Sequence, residues 1–287
     1  MSTNMFDLTG KTAVVTGASA GLGVAFSEAL AAAGANVVLA ARRTEPMEET
    51  AKRIRAAGGN ALVHQTDVTD EAQVNGLVEA AVAEFGGLDV MLANAGAIPE
   101  GIAQPEKMPA DLFRQSIDIN LTGTFITAAA ASRHMLANGG GSIILISSVA
   151  GLSGHHNIPI AYATSKAATT HMAKYLAVVW ADRGVRVNAI GPGWFPSEMT
   201  DQVLAIPPFR QRIEDQTPLG RLGKSEELLG ALLLLASDAG SYITGQTLMV
   251  DGGMSASIGA SPYPDELHAL NAQIMPHGLG ERIAPAV

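Results

Sequence analysis

Short runs of apolar, often β-branched residues recur along the chain, and longer segments with helical periodicity lie between them. Most of these runs are apolar throughout rather than alternating, which is typical of strands covered on both faces, as in a parallel sheet. Seven runs predict strands, at residues 12–16, 36–41, 61–65, 88–94, 142–147, 185–190 and 247–250. In the first intervening segment, Leu22, Phe26 and Leu30 fall on one helical face. The alternation predicts a doubly wound (Rossmann-type) α/β fold, a parallel seven-stranded sheet with helices on both faces.

The alternating pattern ends near residue 253. No internal repeat or low-complexity linker divides residues 1–253, so we expect them to form a single domain. Residues 254–287 form a C-terminal extension with one short helical candidate at 264–273. Four residues in and around this candidate have helical spacing: Tyr263, Leu267, Leu270 and Ile274. This spacing favours an extension that packs, for example on a neighbouring subunit, over a disordered tail.

The composition narrows the classes of function. The 287-residue chain has a net charge of −9 and no Lys- or Arg-rich run, which argues against binding to nucleic acid or to an anionic membrane surface. It contains no cysteine, so disulfides, thiol nucleophiles and Cys-ligated metals are excluded. The amino terminus lacks the apolar core of a secretory signal, and the longest apolar runs are too short to span a bilayer. We therefore expect a soluble, cytoplasmic protein.

A glycine-rich turn joins the first predicted strand to the first predicted helix. Gly17, Gly21 and Gly23 have the spacing G-x-x-x-G-x-G, and Ser19 lies among them. Such a turn lets the backbone approach a pyrophosphate, and the amino terminus of the helix then faces the anion. A tight turn without a ligand could have the same spacing, but the position directly after the first strand favours a dinucleotide site.

The end of the second predicted strand indicates which dinucleotide binds. An Asp or Glu at this place would bind the adenosine ribose of NAD. This chain has Ala41 instead, followed by Arg42 and Arg43. Guanidinium groups suit a 2′-phosphate, so NADP(H) is favoured. NAD(H) is the alternative, in which case the two arginines are solvated charges at a helix start.

Tyr162 and Lys166 are four residues apart in a segment of helical character, so their side chains lie on one face. A phenol has a reference pKa of about 10, which is high for an acid–base group near neutral pH, and a lysine ammonium one turn away would lower that pKa. An isolated pair of this kind is usually a surface pair. Here, however, Ser147 and Ser148 follow the fifth predicted strand and residues 94–96 follow the fourth, which favours a catalytic site.

Together these motifs resemble the short-chain dehydrogenase/reductase family. The matching stretches are TGASAGLG, DVTD, ANAG, IN at 119–120, SSVAG, YATSK, RVNAIGPG and TGQTLMVDGG, which cover residues 7 to about 253 in the family's order and spacing. The resemblance implies an NAD(P)-dependent oxidoreductase that transfers a hydride between a nicotinamide cofactor and a ketone or secondary alcohol. The alternative is a non-catalytic dinucleotide-binding sensor, or a structural oligomer, with the same fold.

The resemblance also implies four catalytic roles. Tyr162 would be the acid–base group, and Lys166 would bind the nicotinamide ribose and tune the tyrosine. Ser148 would hold the substrate oxygen, and Asn120 would organise a water that links the lysine to bulk solvent. The separation of Ser148 from Tyr162 is one residue longer than in many members of the family.

By the same resemblance, the cofactor lies along the strand ends. Asp67 and Val68 would flank the adenine, and Ser197 would bind the nicotinamide carboxamide where the family usually has threonine. The full predicted cofactor set is Gly17, Ser19, Gly21, Leu22, Gly23, Arg42, Arg43, Asp67, Val68, Asn94, Ala95, Gly96, Tyr162, Lys166, Pro192, Gly193, Phe195 and Ser197.

The substrate pocket is expected among the segments that follow the fourth, fifth and sixth strands. Its predicted residues are Leu152, His155, His156, Trp194 and Met199. Most are apolar and no basic cluster is evident, so we expect a neutral, medium-sized ketone or secondary alcohol. The two histidines either contact a polar substrate group or are solvated, and without a third ligand at suitable spacing we expect no metal. Residues 195–216 would form a lid in which Pro207 and Pro208 break any helix.

In the family, the helix that carries Tyr162 and the helix before it form a four-helix contact between subunits. Small residues at 127–132 and 167–170 would permit close approach of the helices. The resemblance therefore predicts a homotetramer or homodimer.

Overall fold

The computed structural model describes residues 5–101, 104–154 and 158–257. Seven parallel strands form one sheet with the order β3-β2-β1-β4-β5-β6-β7. They are β1 (Thr12–Thr16), β2 (Asn36–Ala41), β3 (Ala61–Gln65), β4 (Val90–Ala93), β5 (Gly141–Ile146), β6 (Val185–Pro192) and β7 (Thr247–Val250). The predicted seven-stranded parallel sheet is confirmed, and the observed strand ends lie within two residues of the predicted ones.

Helices occupy the connections between the strands. They are α1 (Gly21–Ala32), α2 (Glu45–Ala56), α3 (Glu71–Phe85), α4 (Ala110–Ile117), α5 (Gly123–Ala137), α6 (Ile160–Trp180), α7 (Asp201–Leu204), α8 (Pro207–Gln216) and α9 (Leu229–Ala236). A π-helical turn, Asp118–Thr122, joins α4 to α5. Among the described residues, no helix combines the length and the hydropathy needed to cross a bilayer.

Two hydrophobic cores cover the two faces of the sheet. On one face, α1, α2 and α9 pack against strand residues such as Val15 and Leu39. On the other, α3, α5 and α6 pack against Val14 and Val38. Neighbouring residues of one strand point to opposite faces, and both faces are buried. This explains why the central strands are apolar at most positions.

The strand order changes direction at β1, which lies between β2 and β4. In open parallel sheets, the crossovers on either side of such a switch point leave a crevice at the carboxyl ends of the strands. Thr16 ends β1 and Ala93 ends β4, so the glycine turn and the segment after β4 start from neighbouring points at this edge.

Two predictions about the flanking segments have different outcomes. The prediction that Pro207 and Pro208 break any helix is wrong, because α8 begins at Pro207. Proline is tolerated in the first helical turn, where its missing N–H would have no partner in the helix. The helical candidate at 264–273 and its four apolar residues lie outside the described residues. The domain division at residue 253 stays a prediction.

Candidate active site

A cavity of about 1440 Å³ opens at the carboxyl edge of the sheet. Every residue of the predicted cofactor set lines it, as do Ser148 and Met199. The strand ends therefore bring together residues that are far apart in sequence, such as Gly17 and Met199. Their individual binding roles stay predictions.

The glycine turn after β1 is too crowded for side chains. A Cβ on Gly17, whose φ is +68°, would lie 2.8 Å from Ala95 Cα, and one on Gly23 would lie 2.2 Å from the Gly17 carbonyl oxygen. Asn94 braces the turn, since its Nδ2 donates a hydrogen bond to the Thr16 carbonyl oxygen at 2.8 Å. Helix α1 begins directly behind the turn, and Ala20 at its N-cap offers no side-chain acceptor to the first N–H groups. The turn therefore fits the pyrophosphate of a dinucleotide.

The end of β2, where the sequence predicted a preference for NADP(H), forms one side of the cavity. Ala41 leaves this place without a carboxylate, and Arg42 and Arg43 line the cavity. The Arg43 guanidinium donates a hydrogen bond to a Glu198 carboxylate oxygen at 3.0 Å and lies 3.4 Å from Ser19 Oγ. Glu198 belongs to the segment after β6, so this ion pair joins two segments that line the cavity. Sequence reasoning missed it, because the partners are 155 residues apart.

Asn120 lies at the centre of the π-helical turn and is buried. Its Oδ1 accepts a hydrogen bond from the Ala97 N–H at 3.1 Å, and its Nδ2 donates to the Ala97 carbonyl oxygen at 2.7 Å. A Cβ built on Gly96 would lie 2.9 Å from Asn120 Oδ1 and 3.7 Å from Lys166 Nζ. Asn120 does not line the cavity itself, but its side chain approaches Lys166 across Gly96. A π turn of this kind frequently marks a functional site.

Ser148, Tyr162 and Lys166 meet at the end of β5. Ser148 precedes a short 3₁₀ turn, and its side chain forms a hydrogen bond with Tyr162. Lys166 is only 3% exposed and its Nζ donates to the Ile146 carbonyl oxygen at 2.8 Å. Its Nζ lies 5.5 Å from the centre of the Tyr162 ring. The three side chains that a proton transfer at this place would need are therefore neighbours.

Burial dominates the acidity of these groups. It raises the pKa of Tyr162 above the ordinary value for tyrosine, an effect that the Ser148 hydrogen bond opposes and the Glu100 charge reinforces. Burial also lowers the pKa of Lys166 to about 8. The sequence predicted that Lys166 would lower the pKa of Tyr162, but the net shift of this pKa in the protein is upward. Desolvation of the phenolate outweighs its stabilisation by neighbouring groups.

The predicted substrate residues occupy different places. Met199 lines the cavity. Two other predicted residues that the structure describes, Leu152 and Trp194, do not line the cavity. Leu152 is 46% exposed, and Trp194 packs edge-on against Phe209 with ring centres 5.5 Å apart. His155 and His156 lie outside the described residues. Residues of α4 and the π turn that were not predicted also line the cavity: Asp111, Arg114, Gln115, Asp118, Ile119 and Thr122.

Comparisons with known proteins agree with this geometry. A model of the short-chain dehydrogenase/reductase family, described as enoyl-(acyl carrier protein) reductase, matches residues 17–255. A cis-4-hydroxycyclohexanecarboxylate dehydrogenase of Sinomonas cyclohexanicum is 40% identical over 247 residues, which cover 86% of this chain and 97% of that protein.

Several similar solved structures have bound dinucleotides, and two of them illustrate the range. A gluconate 5-dehydrogenase from Burkholderia cenocepacia in complex with NADP and tartrate is 34% identical, with a TM-score of 0.84 over 88% of this chain and 98% of that one. A 7α-hydroxysteroid dehydrogenase in complex with NADH and 7-oxo glycochenodeoxycholic acid is 31% identical, with a TM-score of 0.83 over 92% of this chain and 100% of that one. From the matches along most of its length, this chain belongs to the short-chain dehydrogenase/reductase family.

Proposed function

We propose that the protein is an NAD(P)-dependent oxidoreductase that interconverts a ketone and a secondary alcohol, with Tyr162 as the acid–base group. The observation that carries this proposal is the meeting of Ser148, Tyr162 and Lys166 beside a glycine turn that fits a dinucleotide. The family and the dehydrogenase names of the relatives support the enzyme over the non-catalytic sensor and the structural oligomer.

The reaction divides between the cofactor and the chain. A bound nicotinamide supplies or accepts the hydride. The hydroxyls of Ser148 and Tyr162 hold the substrate oxygen, and Tyr162 donates its proton to that oxygen during reduction or removes one during oxidation. The Lys166 ammonium stabilises negative charge on the Tyr162 oxygen at pH values below its pKa of about 8. Asn120 holds the segment after β4 beside Lys166.

For the cofactor, we propose NADP(H) over NAD(H). Arg42 and Arg43 line the cavity at the end of β2, where no carboxylate follows Ala41 to bind ribose hydroxyls. Two guanidinium groups there favour a 2′-phosphate. Glu198 competes for Arg43, so binding of the phosphate requires that this ion pair opens. The related structures contain NADP in one case and NADH in the other, so either cofactor occurs among relatives.

The proposed substrate is a neutral, medium-sized ketone or secondary alcohol. Ile98 and Met199 line the cavity with apolar groups, while the charged residues Asp111 and Arg114 pair with each other at 2.7 Å. A cytoplasmic location and the absence of nucleic-acid or membrane partners are proposed from the acidic, cysteine-free composition.

We also propose that a second copy of the chain packs on α5 and α6, as in the family. Phe125 on α5 is half exposed, and α6 carries a stripe of exposed apolar residues at Tyr175, Val178 and Val179. An exposed apolar stripe at this spacing favours helix packing against a partner. The dimer formed in this way would be the unit of the predicted tetramer.

Replacing Tyr162 by Phe tests the reaction. We expect turnover to fall by at least about 10²-fold, since the proton donor is lost, while the affinity for NADPH stays within threefold. The measurement is NADPH oxidation with a panel of ketones, together with a fluorescence titration of NADPH. Tyr242→Phe, which changes a fully exposed tyrosine that does not line the cavity, is the control. Turnover near the wild-type rate in Tyr162→Phe would rule out the proposed role.

Replacing Lys166 by Met tests whether the lysine is present for function at the expense of stability. Below pH 8 the folded chain must bury the ammonium, whereas above pH 10.5 the lysine is neutral in the folded and unfolded states. We expect the free energy of unfolding of the variant at pH 7 to exceed that of the wild type by up to roughly 3 kcal/mol. This difference between the two proteins should disappear as the pH rises from 8 to 10.5. Turnover should be lost.

Urea unfolding at several pH values measures this gap, and Lys174→Met on the exposed face of α6 is the control. A Lys166→Met variant that is less stable than the wild type at pH 7 would show that the lysine stabilises the fold.

Replacing Arg43 by Ala tests the cofactor preference. We expect the Kd for NADPH to rise about tenfold or more, because a charge-assisted contact to the 2′-phosphate is lost, and the Kd for NADH to change little. Paired fluorescence titrations measure both constants, with Arg53→Ala on α2 as the control. An equal loss for the two cofactors would mean that Arg43 does not read the 2′-phosphate.

Replacing Val178 by Asp tests the subunit contact. A charge buried in an apolar helix interface is costly, so we expect the variant to sediment as a smaller species than the wild type. Ala56→Asp, exposed on α2, should keep the wild-type sedimentation coefficient. If the Val178 variant also keeps it, the second copy does not pack on this face.

A further inference from the structure

Glu100, in the segment that follows β4, is an acidic residue that the reaction described above does not use. It is only 6% exposed. Its Oε1 accepts a hydrogen bond from the Tyr162 N–H at 3.0 Å and another from Ser116 Oγ at 3.1 Å. Among the described residues, its buried Oε2 has no hydrogen-bond partner. A buried carboxylate with one unpaired oxygen opposes folding unless its other contacts compensate.

The first contact places Glu100 at the amino terminus of α6. Tyr162 is the third residue of this helix, and its N–H is one of the four that find no partner within a helix. Pro159 at the N-cap offers no side-chain acceptor. The carboxylate of Glu100 takes this role from another part of the chain, and its negative charge suits the positive end of the helix dipole.

The second contact extends to Asn120. Ser116 Oγ donates to Glu100, and the same oxygen lies 3.3 Å from the Asn120 Nδ2, which also donates to the Ser116 carbonyl oxygen at 2.9 Å. Asn120 in turn holds Ala97, three residues before Glu100. A continuous chain of hydrogen bonds therefore runs from the Tyr162 N–H through Glu100 Oε1 and the Ser116 hydroxyl to the Asn120 side chain.

We propose that Glu100 is a positioning residue for the reaction, which fixes the start of α6, and hence Tyr162, relative to Asn120 and the segment after β4. This inference rests on the proposed function of Tyr162. The cap of α3, by comparison, is local to its own helix: Asp70 accepts from Ala72 N and Gln73 N at 2.9 and 3.2 Å.

The charge of Glu100 gives the proposal an electrostatic consequence. It raises the pKa of Tyr162 in addition to the effect of burial. The other ionisable groups of α4, the π turn and α6 are Asp111, Arg114, Asp118, Lys166, His171, Lys174 and Tyr175. Of all these groups, only Glu100 bonds to the backbone of Tyr162 itself.

Two substitutions separate the positioning role from the charge. Glu100→Gln keeps a carbonyl oxygen for both donors but removes the charge, so Tyr162 should ionise at lower pH and kcat should stay within about threefold of the wild type. Glu100→Ala removes the acceptor as well, so kcat should fall by about 10- to 100-fold with little change in the Kd for NADPH, because misplacement of a reacting group costs this much.

The ionisation of Tyr162 is measured as the tyrosinate absorbance of each protein minus that of the same protein with Tyr162→Phe, which requires no substrate. The kinetics use the ketone on which the wild type is most active. Asp70→Ala is the matched control, since it removes a helix cap from α3 and should lower thermal stability without a change in kcat or in the Tyr162 titration.

The proposal is overturned if Glu100→Ala folds and retains the wild-type kcat, or if Glu100→Gln, which keeps the acceptor for both donors, loses more than about tenfold in kcat. Should Glu100→Ala fail to fold, the kcat of Glu100→Gln decides. Failure of the proposed function would look different: Tyr162→Phe would remain active, whatever the Glu100 variants do.

Discussion

The close packing of α6 against the carboxyl end of β5 is the contact on which the rest of the site depends. Ser147 Oγ donates to the Lys166 carbonyl oxygen at 2.9 Å, and Lys166 Nζ donates back to the Ile146 carbonyl oxygen at 2.8 Å. Gly151 permits this approach, because a Cβ there would lie 2.6 Å from the Lys166 carbonyl carbon. The helix that carries the acid–base pair is thereby joined directly to β5, which Ser148 follows by two residues.

This contact stabilises a site that burial opposes. Lys166 is buried and Tyr162 is partly buried, and burial disfavours the charged form of each. The hydrogen bonds to Ile146 and Ser148 compensate only in part. Such an arrangement lowers stability but holds two ionisable groups in one place with shifted proton affinities, which is a common property of catalytic sites. The unpaired oxygen of Glu100 adds to the same cost.

The second constraint is the path of the chain between β4 and α5. The π turn at Asp118–Thr122 widens the helix where Asn120 turns inward, and the Asn120 amide then pairs with both backbone groups of Ala97. Ser116 and Glu100 continue this network to the start of α6. The elements that surround Tyr162 are therefore held by polar contacts between side chain and backbone, while the apolar contacts lie behind them in the two cores.

Local pattern determined the seven strands, the parallel sheet and the glycine turn, and the resemblance to the family supplied most of the predicted cofactor residues that line the cavity. Apolar runs, glycine spacing and residue type at strand ends express these features within short stretches. The tertiary structure decided the rest: the ion pair of Arg43 with Glu198, the link from Glu100 to Tyr162, the packing of Trp194 away from the cavity and the raised pKa of Tyr162. Each depends on burial or on charges that are distant in sequence and adjacent in space, and short stretches of sequence carry no signal of either.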